Sequence, residues 1–345
     1  MLGRGARLLA SVSLVGASAA ATAAPAALAQ TGTQPVTLTL YNGQHAATTN
    51  ALVAAFTQST GIQVNVRSGE GSGLTNQIIE EGSASPADLV FTENSPELMV
   101  LDEQHLLASV DPQTLAAVPA QYNSPEGDWV AVDARATVLV YNPSLVPPDQ
   151  LPESILNLAD PVWQGRIGIA PAENDFQPVV TAVIKLNGED AARQWLTGVK
   201  ANAAQTYNGN TAILNAVNNG QIAAGIINNY YWFRQAAEVG PDNMKSALYY
   251  FGHGDPGALV DVSPAGALAS SQHPAEAQAF LQFLVSPAGQ QVIATTNDFE
   301  YPLGSGVQPD PSLKPFASLD PPDLSIADLG DDTMAVQLLQ QVGLL

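Results

Sequence analysis

The chain has 345 residues, and its 32 acidic residues outnumber its 11 Lys and Arg, which gives a net charge of −21. So acidic a chain repels nucleic acid and anionic lipid, which excludes both as direct partners. It has no cysteine, which excludes disulfide bonds, a thiolate metal site and a lipid-anchoring cysteine.

The first 29 residues have the features of an export signal. Arg4 and Arg7 precede an apolar stretch from Leu8 to Val15, and Ala27-Leu28-Ala29 is a small-x-small cleavage site. We therefore expect a soluble periplasmic protein that begins at Gln30 and does not insert into a membrane. No later apolar run approaches the roughly 18 residues that a membrane-spanning helix needs.

In the first part of the mature chain, predicted strands alternate with predicted helices. The strands show alternating apolar and polar residues, and the first helix ends at Gly61. This order predicts a mostly parallel sheet with helices on both faces, and ligands bind beyond the carboxyl ends of such strands. The predicted elements are a strand at 36–41, a helix at 46–60, a strand at 62–66, a helix around 74–81, a strand at 87–91 and a helix from Pro96 through Leu107.

A second α/β block follows, and two strand-rich passages, near 130–140 and 258–265, predict where the chain crosses a hinge between two lobes. The predicted elements are strands at 129–132, 137–141, 167–170, 222–227, 258–262 and 265–269, and helices at 176–186, 189–199, 211–219, around 277–284, from Ser286-Pro287 and at 334–342.

Tyr230 and Tyr231 lie side by side just after the apolar run at 222–227. Adjacent phenols at a strand end are poor core residues, because each buried hydroxyl needs a partner. A phenolate is instead a good oxygen donor for a highly charged cation. His45 and Glu93 each follow a predicted strand end, so we expect these two side chains to meet. One imidazole, one carboxylate and two phenols together would suit a ferric ion.

Six short motifs resemble those of one receptor family. They are Tyr-Asn-Gly-Gln-His at 41–45, Glu-Glu-Gly-Ser-Ala-Ser-Pro-Ala-Asp at 80–88, Asp-Trp-Val-Ala-Val at 128–132, Ile-Asn-Asn-Tyr-Tyr-Trp at 227–232, Asp-Pro-Gly-Ala-Leu-Val at 255–260 and Glu-Tyr-Pro-Leu at 300–303. Over essentially its whole mature length, the chain is similar to bacterial periplasmic ferric-ion-binding proteins, the substrate receptors of iron ABC importers.

The resemblance implies that Fe(III) is held by His45, Glu93, Tyr230 and Tyr231, with an exogenous anion or water completing the coordination. It also implies an inner-membrane ABC permease as the partner and a monomeric receptor.

The resemblance further implies an α/β fold of type II, in which each of two lobes is a mostly parallel sheet with flanking helices and the ligand lies between the lobes. The expected N-terminal lobe is 30–133 with 263–305, and the expected C-terminal lobe is 134–262 with 306–345.

The anion site departs from the family pattern. The family holds phosphate with two Asn and a loop of small residues. Asn210 and Asn228 match the two Asn, but Glu173, Asn174 and Asp175 stand in the loop, where carboxylates would repel phosphate. We expect Asp175 to cap the helix that follows it. The alternatives are that Glu173 or Asp175 replaces the anion as a ligand, or that carbonate or water binds.

Two other functions compete with the ferric receptor. A receptor of the same architecture could carry an organic anion, a phosphonate or a polyamine, but the matched motifs contain no Lys or Arg to hold an anion. A secreted metalloenzyme is the other alternative. The chain has no H-E-x-x-H motif, no Gly-x-Ser-x-Gly elbow and no cysteine, so we expect it not to be an enzyme.

Overall fold

The structure is a computed structural model that describes Gly3 and residues 36–345. The predicted export signal at 1–29, Gly3 apart, and its cleavage site lie outside the described residues. Among the helices in the described part of the chain, none is both long enough and apolar enough to span a membrane.

The β-strands within residues 36–345 form two sheets that share one long strand. They are β1 (Thr37–Asn42), β2 (Gln63–Ser68), β3 (Leu89–Phe91), β4 (Trp129–Tyr141), β5 (Ile167–Ile169), β6 (Ala203–Thr206), β7 (Ala224–Asn228), β8 (Ala247–Tyr249), β9 (Val260–Ala267) and β10 (Tyr301–Pro302). Their order is β2-β1-β3-β9-β4-β7-β5-β6, and β8 and β10 also pair with β4. β1 runs parallel to β2 and β3, and β5 runs parallel to β6 and β7.

The helices within the same residues cover the sheets and confirm the α/β class. They are α1 (Ala46–Thr60), α2 (Gly71–Glu81), α3 (Pro96–Glu103), α4 (Pro112–Leu115), α5 (Gln177–Asn187), α6 (Glu189–Asn202), α7 (Asn210–Asn218), α8 (Asn229–Val239), α9 (Pro274–Val285), α10 (Pro287–Thr295), α11 (Ile326–Leu329) and α12 (Thr333–Gln341).

The shared strand β4 is continuous, where the sequence predicted two strands. Trp129–Ala136 pairs with β9 in the first sheet, and Thr137–Tyr141 pairs with β7 in the second. Successive side chains of a strand point to opposite faces. Val138 and Val140 accordingly pack in a small core beneath α7, while residues on the other face join the main core. β9 is also one strand rather than the two predicted.

The end of one predicted helix was wrong, and one helix was not predicted. α3 ends at Glu103 rather than running through Leu107, because His105 adopts a left-handed backbone conformation with φ of 55°. Leu107 instead bridges to Leu268 beside β9. The sequence also gave no indication of α8, the helix on which Tyr230 and Tyr231 lie.

Candidate metal centre

His45 lies at the start of α1, in a turn fixed against the end of β3. The backbone N–H of Gly43 donates to the Phe91 carbonyl oxygen at 2.7 Å. A Cβ on Gly43 would lie 2.9 Å from the Cα of Gly71, so the close approach of these two backbones requires glycine. The position of the imidazole is therefore set by the junction of β1 and β3.

Glu93 lies two residues after β3 and meets His45 as the sequence predicted. Its Oε1 atom is 3.4 Å from His45 Nε2. Ser263 on β9 donates its hydroxyl to the backbone carbonyl of Glu93 at 3.1 Å and holds this loop on the first sheet. The carboxyl ends of β1 and β3 thus bring an imidazole and a carboxylate together.

Tyr230 and Tyr231 are the second and third residues of α8, which begins directly after β7. The Tyr230 hydroxyl donates to Glu93 Oε1 at 2.6 Å. The ring of Tyr230 meets the ring of His45 edge-on, with centroids 4.8 Å apart, and the two phenol rings stack at 4.2 Å. β7 belongs to the second sheet, so the four side chains are contributed by both sheets.

Asp175 belongs to the same cluster. The sequence analysis expected it to cap the following helix, and this expectation was wrong. Phe176 occupies the capping position of α5, and no side chain caps its first turn. Asp175 Oδ2 instead accepts hydrogen bonds from Asn210 Nδ2 at 2.6 Å and from the Tyr230 hydroxyl at 3.4 Å. The amide of Asn210 therefore directs this carboxylate towards the phenols.

The remaining candidates, among the described residues, make no hydrogen bond to the two phenols. Asn174 Nδ2 donates to Glu97 Oε1 at 3.1 Å. Glu173 lines a cavity of about 140 Å³, which we call the site cavity, together with Glu93, Asp175 and Tyr231. Asn228 is buried at the end of β7, and among the described residues its side chain makes no hydrogen bond to the cluster.

Burial and mutual repulsion favour the protonated forms of Asp175 and of the two phenols. Burial raises the pKa of Asp175 to about 7, and Glu93 adds to the shift. Burial also raises the pKa of Tyr230 and of Tyr231 far above the usual phenol value, with Asp175 and Glu93 as the next causes. A bound multivalent cation reverses this preference, since it stabilises the ionised forms. The cluster can therefore exchange protons for a cation.

A buried charged network lies next to the Nδ1 atom of His45. Burial lowers the pKa of His45, but Glu300 and Glu93 outweigh this effect and raise the pKa to about 9. His45 Nδ1 lies 3.8 Å from Glu300 Oε2. The fully buried Arg135 on β4 places its Nε 3.8 Å from Glu300 Oε1 and donates to the Ser263 hydroxyl at 3.0 Å.

The donor set is suited to a hard, highly charged metal ion. It offers one imidazole nitrogen and otherwise only carboxylate and phenol oxygens, the ligands that such ions prefer. Among the residues that the structure describes, no three His, Asp and Glu side chains are grouped so that they could hold a metal alone. Any metal bound here would therefore depend on the phenols.

Comparison with known proteins identifies the family. Residues 82–323 match the model of the family described as bacterial extracellular solute-binding protein. The chain belongs to this family. It is a solute-binding receptor and not an enzyme, and its structural neighbours have the type II periplasmic-binding-protein fold.

Three relatives of this solute-binding protein are informative. It is 43% identical over 308 residues to the Fe(3+)-binding periplasmic protein of Serratia marcescens, covering 89% of this chain and 90% of the relative. It is 40% identical to the major ferric iron-binding protein of Neisseria meningitidis, covering 95% and 97%. The crystal structure of iron-bound HitA from Pseudomonas aeruginosa matches with a TM-score of 0.85 and 48% identity, over 90% of this chain and all of HitA.

Sequence reasoning missed two supporting residues, Glu300 and Arg135, and misjudged a third residue, Asp175. Asp175 was recognised but given the wrong first role, because a carboxylate before a helix is so often a cap. Glu300 lies in the Glu-Tyr-Pro-Leu motif, which could have directed attention to it. Arg135 lies in the middle of an apolar strand, and a lone charge in such a run is itself a signal of a buried partner.

Proposed function

We propose that this solute-binding protein is a periplasmic receptor that binds ferric iron and delivers it to an inner-membrane ABC permease. One observation carries the proposal: Glu93 Oε1 lies 2.6 Å from the Tyr230 hydroxyl and 3.4 Å from His45 Nε2, although these residues come from different sheets. The relatives support the cargo, since their names refer to ferric iron.

The proposed protein ligands are His45, Glu93, Tyr230 and Tyr231. When ionised, the carboxylate and the two phenolates carry three negative charges, which balance a trivalent ion. A divalent ion such as zinc or copper would leave a net negative charge in a buried site, which is costly. Acid releases the ion in this scheme, because protons compete for the ligands.

We further propose that Asp175 takes the place of the exogenous anion. Its carboxylate already reaches the Tyr230 hydroxyl and is oriented by Asn210, the kind of outer support that fixes a metal ligand. With Asp175 included, an octahedral ion keeps one position for water, and the positive charge of the buried Arg135, which lowers the pKa of Asp175, offsets the fourth negative charge. Glu173, Asn174 and Asn228 then act outside the coordination sphere.

The site cavity argues against an anionic cargo such as a phosphonate. Its lining includes Glu70, Glu93, Glu97, Glu173 and Asp175, and it has no Lys, Arg or His among the described residues. An organic anion would meet like charges in a partly desolvated space. A polyamine would meet favourable charge, but it would leave the stacked phenols without a chemical role.

The positions of the proposed ligands lead to a proposal for how the receptor closes. We propose that a lobe of 30–133 with 263–305 and a lobe of 134–262 with 306–345 move about β4 and β9, the strands that join them. The ion would link the two lobes, so binding and closure would be one event. We propose that the receptor works as a monomer.

The test is a ferric titration of the chelator-stripped protein, followed by its visible spectrum. We expect a phenolate-to-iron charge-transfer band that saturates at one equivalent and is lost or strongly shifted in Tyr231→Phe. Tyr249→Phe is the matched control, because Tyr249, the last residue of β8, forms a second pair of adjacent tyrosines with Tyr250. A protein that shows no band, or the same band in Tyr231→Phe, would contradict the ferric assignment.

A further inference from the structure

Another cavity adjoins the site cavity at Glu97 and Asn174, and neither phenol lines it. It measures about 140 Å³, and we call it the second cavity. It shares Asn94, Glu97 and Asn174 with the site cavity but contains none of the proposed iron ligands. A water molecule occupies about 30 Å³ in the liquid, so this volume has room for a small ion with several waters.

Three residues that line this cavity each carry a buried side-chain oxygen atom that has no hydrogen-bond partner. These atoms are Thr75 Oγ1 on α2, Asn94 Oδ1 in the loop after β3, and Glu97 Oε2 on α3. Each of these residues is at least nine-tenths buried, with exposed fractions of 3%, 4% and 7%. Buried polar atoms nearly always have a partner, so three such atoms at one cavity point to a bound species.

The charge and chemistry of the lining indicate what that species is. Asp332, at the start of α12, also lines the cavity and is also buried. Its Oδ1 atom accepts a hydrogen bond from the Thr181 hydroxyl, which fixes the carboxylate. The lining of the second cavity includes no Lys, Arg or His among the described residues, so no cationic side chain there would pair with these acids when they ionise.

We propose that the second cavity binds a hard divalent cation of the calcium class through Glu97, Asn94, Thr75 and Asp332, directly or through water. Carboxylate, amide and hydroxyl oxygens are the ligands that calcium takes in proteins, and a cavity with neither thiol nor imidazole does not favour softer metals. The proposal does not depend on the ferric site, because the two sites share no ligand.

Binding has a proton signature that separates it from loose surface association. Burial raises the pKa of Glu97 to about 8, with further contributions from Asp261, Asp332 and Glu93. Glu97 is therefore mostly protonated in the cation-free protein at pH 7. A cation that binds its carboxylate must displace this proton, so the heat of binding should depend on the ionisation enthalpy of the buffer.

The experiment is calorimetric titration of the iron-free full chain with calcium chloride at pH 7 in two buffers of different ionisation enthalpy. We expect one site, with proton release, and the same binding in Tyr231→Phe. Glu97→Gln should weaken it by at least tenfold, whereas Glu103→Gln, at the exposed end of the same helix, should leave it unchanged. Thr75→Val provides a second variant of nearly unchanged shape and should also weaken binding.

Two results would overturn the proposal. One is the absence of binding by calcium, magnesium and manganese at millimolar concentration to a protein that still binds iron. The other is calcium binding that survives in both Glu97→Gln and Thr75→Val but is lost in Glu93→Gln, since the ion would then occupy the proposed ferric site. A failure of the ferric titration alone would leave the calcium result standing.

Discussion

Replacing Asp175 with Asn tests its proposed role as a ligand, because the change keeps the shape and removes the charge. Removing one member of a buried charged set costs about 3–5 kcal/mol, and about 1.4 kcal/mol is a tenfold change in affinity. We therefore expect Asp175→Asn to weaken ferric binding by roughly two to three and a half powers of ten above pH 7.

The loss of affinity should shrink in acid with a defined slope. The pKa of Asp175 in the iron-free protein is raised to about 7, so below this pH the wild type must release a proton from Asp175 to bind iron. The variant has no such proton to release. The ratio of the two affinities should be constant above about pH 7 and should fall about tenfold per pH unit below it, which is about 1.4 kcal/mol per unit.

Competition against one iron chelator, for both proteins at each pH from 5 to 9, measures this ratio directly. The protonation of the chelator and of the other ligands cancels between the two proteins. Asp160→Asn, an exposed acid remote from the cluster, serves as the matched control and should bind as the wild type does. A ratio near one at every pH would refute Asp175 as a ligand, and a large ratio without pH dependence would refute its protonation in the iron-free protein.

Three further changes test other parts of the account. Gly43→Ala should weaken iron binding and lower stability by about 1–3 kcal/mol in chelator competition and urea unfolding, because its Cβ would lie 2.9 Å from backbone. Glu97 has a pKa raised to about 8, so its contribution to stability falls as pH rises between about 4.5 and 8. The free energy of unfolding of Glu97→Gln, measured in urea relative to that of the wild type, should therefore rise by about 2–4 kcal/mol between pH 5 and pH 9. Arg135→Met should cost about 3–5 kcal/mol in urea unfolding, because Glu300 loses its buried counter-charge, whereas Arg193→Met on the surface should cost under about 1 kcal/mol. Equal losses for the two Arg variants, a pH-independent gain at Glu97 or unchanged binding in Gly43→Ala would each contradict the corresponding argument.

The local sequence pattern was sufficient to predict most helices and strands of the fold. The helix at 46–60 ends at Gly61, whose φ of 77° is the left-handed conformation that glycine adopts readily. The strands at β1, β2 and β3 follow from alternation and apolar runs. The continuity of the strand from Trp129 to Tyr141 could not be predicted. Two apolar runs separated by Asp133 and Arg135 look like two strands unless the buried partners of these charges are known.

The candidate metal centre, too, was predicted only in part from the sequence. The approach of His45 to Glu93 followed from strand ends that meet at one edge of a sheet. The contact of Tyr230 with Glu93 joins residues 137 positions apart, and only the family motifs indicated it. The place of Asp175 at the metal was only an alternative to a capping role, since a short-range cap and a long-range hydrogen bond to Asn210 compete for the same carboxylate.

Crystals of the iron-loaded protein, grown without phosphate or carbonate and measured at the iron absorption edge, test the central claim most directly. The account predicts one anomalous peak at bonding distance from His45 Nε2, the Glu93 carboxylate and the Tyr230 and Tyr231 hydroxyl oxygens, with a carboxylate oxygen of Asp175 as the fifth protein ligand. A peak elsewhere, or an iron bound without the two phenol oxygens, would contradict it.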